Sequence, residues 1–336
     1  MIYRDEAIHI SKNAFLDLYV IGYKSMGESI VLNLDNQFIG IVDSYKTVSS
    51  FITKQILDKL ERNVDFICWT HTDEDHTKGL SELLESNFIT ENTRLFLPEG
   101  ITKKEIKSYL EMDSEKEYTK VFKMLNNSSN LNVESANENT LLYSFPLIQG
   151  DKQFSFYLES FAPLSQIVRN LELASIKHLF DSDNLSLHQN PNFFSVGLKL
   201  TITSQGFAPF TVCLAGDVDN HTIESMKDKN KSRIFSENVI LKIPHHCSKN
   251  SDLLIKEGLI KNFDFAVTTG YKRGRSNLPD KYVLDEYKKI AARNAGKLSS
   301  TALRVNHDFG VVFYRLKLSH LTRKVRVRNL GNASLV

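Results

Sequence analysis

The chain has 336 residues, 41% of them hydrophobic and 24% charged, with a formal net charge of +2. That composition supports a large core and excludes disorder as the default, and the near-zero charge excludes a general pull toward nucleic acid or membrane, so any basic groove has to be local. No apolar run is long enough to span a bilayer, no charged-then-apolar leader opens the chain, and three scattered cysteines (Cys68, Cys213, Cys247) form no CxxC pair, so a reduced, cytoplasmic setting without structural disulfides is expected.

The first 45 residues read as three strands: AFLDLYVIGY, SIVLNL and QFIGIVDS are apolar, rich in β-branched and aromatic residues, and parted by turn residues. Residues 47–61 place apolar side chains at helical spacing. VDFICWT (64–70) is a buried strand, HTDEDH follows it, and KGLSELLES is a helix. RLFLP is a strand, KKEIKSYLEM and KEYTKVFKMLNN are amphipathic helices, and NNSSNLNVESANENT is a polar loop. From about residue 153 strands return as QFSFYLESFAPL, SVGLKLTITS and FTVCLAGDVD, followed by a short helix at HTIESMKD. NVILKIPHHCSKNS is a strand with a polar end, DFAVTTGY a strand, and LPDKYVLDEYKKIAARN a helix with proline near its start. TALRVN, GVVFYRLKL and KVRVRNL close the chain as strands. No repeat and no long low-complexity linker divides it, so the expectation is one domain over 1–336 with a variable helical insertion around 88–150. Two mixed sheets with helices on their outer faces account for the strand count and the interleaved helices.

Three stretches carry chemistry. In His71-Thr72-Asp73-Glu74-Asp75-His76, imidazoles and carboxylates crowd a strand end, and these are ligands for borderline and hard divalent ions. In an extended chain alternate residues point the same way, so His71, Asp73 and Asp75 converge, with His76 turning in as the helix begins. The bland alternative is an acidic helix cap with incidental histidines. CLAGDVDN (213–220) ends a strand in Gly216-Asp217, and a carboxylate there can bridge two ions. LKIPHHCSKNS (241–251) ends a strand in His245-His246, with Ser248 and Lys249 placed either to hold a substrate oxygen or to cap the next turn.

HxDxDHxxG, a strand ending in GD, and a strand ending in PHHxSxxS together resemble the metallo-β-lactamase superfamily, and more narrowly the metallo-β-lactamase-like domain of the competence protein ComEC. MGESIVLNL (26–34), IVDSY (41–45) and NFFSVGLKL (192–200) extend the likeness, which is specific over 26–80 and 190–255 and weak over 88–185 and the tail. The resemblance implies an αββα sandwich, a divalent-metal centre of one or two ions (manganese, zinc or magnesium), and hydrolysis, with neighbouring branches cutting phosphodiesters in nucleic acids or nucleotides. Three departures stand out. Leu278 precedes Pro279 where the family often has an HP histidine, Cys247 replaces the glycine of PHHGS, and only His178 and His188 lie between HTDEDH and GD.

The expected metal ligands are therefore His71, Asp73, Asp75, His76, Asp217 and His245, and the expected catalytic residues Asp75, His246, Ser248 and Lys249. Asp73 tilts the site toward manganese or magnesium. The expected function is a metal-dependent phosphodiesterase or nuclease acting on nucleic acid or a nucleotide, with a partner protein conceivable and no membrane association. KRGRSN (272–277) offers local positive charge for a phosphate backbone. A non-catalytic module that keeps the fold, or a hydrolase of a small ester, thioester or lactam, stands as the alternative.

Overall fold

A computed structural model describes residues 7–101, 116–127, 131–171, 190–304, 306–318 and 325–336. After β1 (Ile8–His9), the strands β2 (Phe15–Tyr23), β3 (Glu28–Leu34) and β4 (Phe38–Val42) match the three expected at the amino end. Helix α1 (Ile52–Leu60) begins later than residue 47, because Thr47 and Ser50 close a turn in which the Ser50 N–H donates to Thr47 Oγ1 at 3.0 Å. Then come β5 (Phe66–Cys68), α2 (Glu74–Thr77), α3 (Leu80–Leu84) and β6 (Arg94–Pro98).

The interval read as a helical insertion does contain a helix, α4 (Glu117–Asn127), but it also contains β7 (Asn132–Ala136) and β8 (Thr140–Gln149). The stretch expected to be a polar loop is thus partly a sheet edge. The helix expected over KKEIKSYLEM, like His178 and His188, lies outside the described residues.

The second half runs β9 (Lys152–Ala162), β10 (Gly197–Ser204), β11 (Phe210–Leu214), α5 (Asn220–Ser225), α6 (Asp228–Phe235), β12 (Glu237–Lys242), α7 (Leu253–Lys256) and β13 (Asn262–Thr268). The KRGRSN stretch forms a small hairpin of β14 (Tyr271–Arg273) and β15 (Ser276–Leu278). Helix α8 (Lys281–Arg293) leads to β16 (Lys297–Ser300), which takes the place of the strand expected at TALRVN. The chain closes with β17 (Phe309–Lys317), β18 (Val325–Gly331) and β19 (Ser334–Leu335).

The strands form an eight-stranded sheet, β18-β17-β2-β3-β4-β5-β6-β7, and a nine-stranded sheet, β1-β8-β9-β10-β11-β12-β13-β16-β19. Both are mixed: β2–β3 and β9–β10 pair antiparallel, whereas β4–β5–β6 and β11–β12–β13 pair parallel. Alternation along each strand sorts side chains to two faces. On β4, Phe38 and Val42 enter the core between the sheets, while Ile39 and Ile41 pack outward against Leu57, Leu80 and Leu83. On β12, Ile240 faces inward and Leu241 outward, toward Ile223, Leu254 and Val283. The layer order is therefore helix, sheet, sheet, helix, as expected.

Aromatic rings tie the two sheets together. Phe38 lies 4.9 Å from Tyr143, 5.2 Å from Phe145 and 5.5 Å from Phe156, centroid to centroid. Each fully buried ring of this kind contributes about 1.5–3 kcal/mol. The rigid sandwich fixes the ends of β5, β11 and β12 relative to each other, and those ends carry the three expected stretches.

Candidate metal centre

Each ligand-bearing turn is shaped by its local sequence. After β5 the chain runs extended through Asp73, which occupies the N-cap position of α2, and Asp75 and His76 follow on that single helical turn. Gly79, at φ +93°, then turns the chain into α3. The helix begins earlier than expected, so Asp75 reaches the site from a helix and not from a strand end. Asp73 is left at the edge, its side chain 41% exposed.

After β11 the chain reverses at Gly216 (φ +52°), where a Cβ would sit 2.7 Å from the Val196 carbonyl, so only glycine fits. Asp217 follows, its N–H donating to Ser195 Oγ at 2.9 Å. After β12, His245, His246 and Cys247 occupy the left-handed region consecutively, at φ 49°, 52° and 62°. Such backbone costs about 1–3 kcal/mol per residue and clusters at functional sites.

These turns bring His71, Asp75, His76, Asp217 and His246 together, all buried. Asp217 is the hub. Its Oδ1 lies 3.4 Å from His76 Nε2, and its Oδ2 lies 3.6 Å from His246 Nε2 and 4.0 Å from both His71 Nε2 and His245 Nε2. Asp75 Oδ2 is 3.0 Å from His246 Nε2 and 3.4 Å from His76 Nε2. Atoms bound at about 2.0–2.2 Å to one ion lie roughly 3–3.6 Å from each other, and this spacing approaches that.

Hydrogen bonds fix which nitrogen of each imidazole faces inward. Asp43, held at φ 58°, accepts from Thr70 N and Thr70 Oγ1 at 2.7 Å each, and its Oδ2 lies 2.7 Å from His76 Nδ1. Because the Thr70 hydroxyl proton goes to Asp43, Thr70 Oγ1 accepts from His71 Nδ1 at 2.9 Å. On the other sheet Thr269 Oγ1 donates to Glu28 Oε2 at 2.5 Å and so accepts from His246 Nδ1 at 2.8 Å. All three imidazoles thus carry a proton on Nδ1 and direct Nε2 into the cluster. This is the orientation that a carboxylate behind a metal-bound histidine enforces.

The donor set fits a divalent cation. His71 Nε2, His76 Nε2 and Asp217 Oδ1 are buried and make no well-aligned hydrogen bond, His76 Nε2 and Asp217 Oδ1 facing each other at 3.4 Å, and a buried polar atom left unsatisfied costs about 1–3 kcal/mol. The charge balance points the same way. Burial would depress the His76 imidazole, but Asp217, Asp75, Asp43 and Glu28 outweigh burial and hold it well above the usual histidine range. Burial likewise opposes ionisation of Asp217, and the His246, His76 and His245 imidazoles overcome it, holding that carboxyl well below the usual range. A divalent cation binding here would displace protons from those imidazoles.

Glu28, His76, Asp217 and His246 also fall within 4.8 Å of one another. Glu28, however, lies behind the rings: its oxygens approach His76 Nδ1 (3.9 Å) and His246 Nδ1 (3.5 Å), and Oε1 is paired with Lys242 Nζ at 2.7 Å. Glu28 is thus a supporting acid and not a ligand facing the cavity. Glu28 and Asp43 fall within the family-like segments MGESIVLNL and IVDSY. The only available signal was an acid beginning or ending an apolar strand.

His246, expected as a catalytic residue, has its Nε2 3.6 Å from Asp217 Oδ2, and His245, expected as a ligand, has its Nε2 4.0 Å from the same oxygen, as far as His71. His246 joins the cluster. His245 stands at its edge, with Nε2 3.4 Å from Asn192 Nδ2, and burial pushes its imidazole down. Ser248 takes the capping alternative: its Oγ accepts the Asn250 N–H at 3.2 Å. Lys249 is exposed and pairs with Asp280 at 3.7 Å.

A cavity of about 430 Å³ opens above the cluster. Asp75, Asp217 and His246 line its floor, Asp73 and His245 stand at its edge, and Ser248, Lys249, Tyr271, Arg275, Asn277, Leu278 and Asp280 line its walls. The Tyr271 ring lies 5.4 Å from that of His246, and Arg273 bridges from the hairpin to Glu74 on α2 at 2.8 Å. Leu278 brings an apolar side chain to the wall, so the departure noted in the sequence falls at the site itself.

No family model and no curated protein matches the chain. Solved structures do. A mutant of the β-hydroxylase CmlA matches with TM-score 0.44 and 12% identity over 89% of this chain and 54% of that one. A long-form RNase Z from yeast matches with TM-score 0.39 and 11% identity over 80% and 39%. The metallo-β-lactamase MIM-1 from Novosphingobium pentaromativorans matches with TM-score 0.32 and 12% identity over 82% and 89%. The chain thus spans about half the length of the first and less of the second. Likeness at this level concerns the outline of the fold, and the reading of the site rests on its own geometry. Among the described residues no helix is long and apolar enough to cross a membrane.

Proposed function

We propose that the chain is a metal-dependent hydrolase of the metallo-β-lactamase superfamily, acting on a phosphodiester in nucleic acid or a nucleotide. The observation that carries this reading is the convergence of three oriented Nε2 atoms on Asp217 and Asp75 at the floor of an open cavity. His71, His76, His246, Asp75 and Asp217 would hold the cation, with Asp73 and His245 at its margin. The ion, manganese, magnesium or zinc, would supply Lewis-acid polarisation of a substrate oxygen and lower the pKa of a bound water so that hydroxide is available near neutral pH.

The remaining steps belong to the protein. Asp217 reaches all four imidazoles through its two oxygens and keeps the floor in register. Lys249 and Arg275 face an incoming substrate from the walls, and cations at that height suit phosphate oxygens. Asp73, partly exposed and 3.6 Å from His71 Nε2, is the carboxylate best placed to accept a proton at the mouth. Arg275, with Lys249 beside Asp280 and the polar Ser248 and Asn277, supports an anionic substrate over a neutral lactam or thioester, although Tyr271 and Leu278 add an apolar side to the same wall.

The test is cleavage of labelled single-stranded DNA, duplex DNA and RNA with added manganese, beside Asp75→Ala and Asp217→Asn. Cleavage by the wild type that falls at least about a thousandfold in both variants, which lose charge inside the ligand set, supports the assignment. Unchanged rates in the variants would sink it. Cleavage of none of the three polymers, with metal bound, redirects the substrate to small nucleotides.

A further inference from the structure

Behind the floor lies an ion pair that metal ligation does not use. Lys242, the last residue of β12, and Glu28, the first of β3, are both buried, and their charged atoms are 2.7 Å apart. Lys242 Nζ also donates to the Gly216 carbonyl at 3.1 Å and lies 3.9 Å from Asp217 Oδ1. That same carbonyl accepts the backbone N–H of His245 at 3.0 Å. One oxygen therefore joins the Asp217 turn to the His245–His246 turn, and the ammonium grips it from below. Both turns are strained: Gly216 sits at φ +52°, and three consecutive residues after Pro244 are left-handed. Backbone of that kind persists only where its surroundings over-determine it.

Stability does not explain the pair. Replacing a buried ion pair by apolar groups of similar volume is often neutral or stabilising, because desolvation offsets the attraction. What the pair supplies is direction. Glu28 is itself held by Thr269, the residue that orients His246, so the pair links both sheets to two ligand turns.

We propose that Lys242, anchored by Glu28, is a positioning residue that holds the Gly216–Asp217 and His245–His246 turns in metal-binding geometry. The role rests on the reading of the cluster as a metal site. Its sign is distinctive. A positive charge 3.9 Å from Asp217 repels a divalent cation, so by charge alone its removal tightens metal binding. Loss of positioning weakens it.

The experiment is calorimetric titration of the full chain with Mn2+ and with Zn2+, paired with thermal melts in chelator, for wild type, Lys242→Met, Glu28→Gln and Glu28→Gln/Lys242→Met. Glu28→Gln alone disturbs the Thr269–His246 support and keeps the ammonium on the Gly216 carbonyl, so the double variant is compared with it. The double variant leaves no orphaned buried charge and is expected to melt within a few degrees of wild type and to bind Mn2+ at least tenfold more weakly than Glu28→Gln. Lys242→Met strands the Glu28 carboxylate and is expected to melt lower as well. An affinity in the double variant equal to or tighter than that of Glu28→Gln overturns the positioning role and leaves the metal site standing. A wild type that binds neither ion overturns both.

Discussion

The floor and the rim of the cavity are built on different physics. On the floor, His71, Asp75, His76, Asp217 and His246 are each at most 5% exposed, and the Nδ1 of His71, His76 and His246 is tied, directly or through a threonine hydroxyl, to Asp43 or Glu28. On the rim, Asp73 and Lys249 have side chains 41% and 69% exposed, and Arg273, on the hairpin beside it, is 58% exposed; Lys249 and Arg273 pair with Asp280 and Glu74, and Asp73 approaches the floor only at His71, 3.6 Å away. Exposed ion pairs are worth about 0–1 kcal/mol, because water screens them and long side chains lose entropy in making them. The floor is therefore pre-organised to bind an ion, whereas the rim is free to adapt to whatever approaches. Under the proposed function, the contrast gives metal binding to the floor and substrate contact to the rim.

The sharpest way to break that contrast is to loosen the floor without removing a ligand. Asp43→Asn keeps the volume but removes the charge that orients His76 directly and His71 through Thr70. Loss of such an outer partner costs about 10–100-fold in metal affinity or activity. The expected outcome is a drop of that size in Mn2+ affinity by calorimetry, with turnover falling alongside. An unchanged affinity would mean that the threonine and carboxylate contacts do not orient the rings.

A smaller effect is expected at the rim. Arg275 is exposed at the cavity wall, on the turn between β14 and β15. Arg275→Ala is expected to raise KM for a nucleic-acid or nucleotide substrate by about three- to tenfold and leave kcat within about twofold, since a phosphate contact made equally in ground and transition state affects binding alone. Losing one phosphate contact should also lower the salt slope of binding by about one. Metal affinity should not move. If it falls, the rim is part of the floor and the division above is wrong.

How much of this could be read in advance follows the same division. The three turns were readable because each follows an apolar strand and ends in His or Asp, a local pattern in the chain. The division of labour within them was not. Glu28 acquires its role only by meeting Lys242 and Thr269, hundreds of residues away in sequence. Asp43 acquires its role only by meeting Thr70 and His76. That His246 lies deeper than His245 depends on a run of left-handed backbone that no spacing rule anticipates. Within the fold, β7 was hidden because it is a sheet edge with mostly exposed side chains, so it lacks the alternation that betrays a half-buried strand. β8 contains Pro146, which speaks against a strand, yet it sits next to the edge, where β1 pairs only Leu147 and Ile148.

The smallest expected effect concerns Cys247, the residue that departs from the PHHGS pattern. Its φ of +62° is the conformation that favours glycine, so Cys247→Gly should relieve about 1 kcal/mol of backbone strain. Against that stands the loss of a buried side chain. Cys247 packs among Ile243, Leu254 and Val283 outside the cavity, and burial pushes its thiol well above the usual range. Removing it forfeits about 1 kcal/mol of burial and adds freedom to the unfolded chain worth about 0.5–1 kcal/mol. The two sides nearly cancel, so the variant is expected to unfold within about 1 kcal/mol of wild type, on the less stable side, in urea titrations at neutral pH. Its metal affinity should match wild type, because Cys247 belongs to the outer core and does not line the cavity. A thiol reagent should likewise leave the folded protein active. A large loss of metal affinity in Cys247→Gly would show that the turn needs the buried side chain to hold its shape, and that the floor is anchored from the outer core as well as from Asp43 and Glu28.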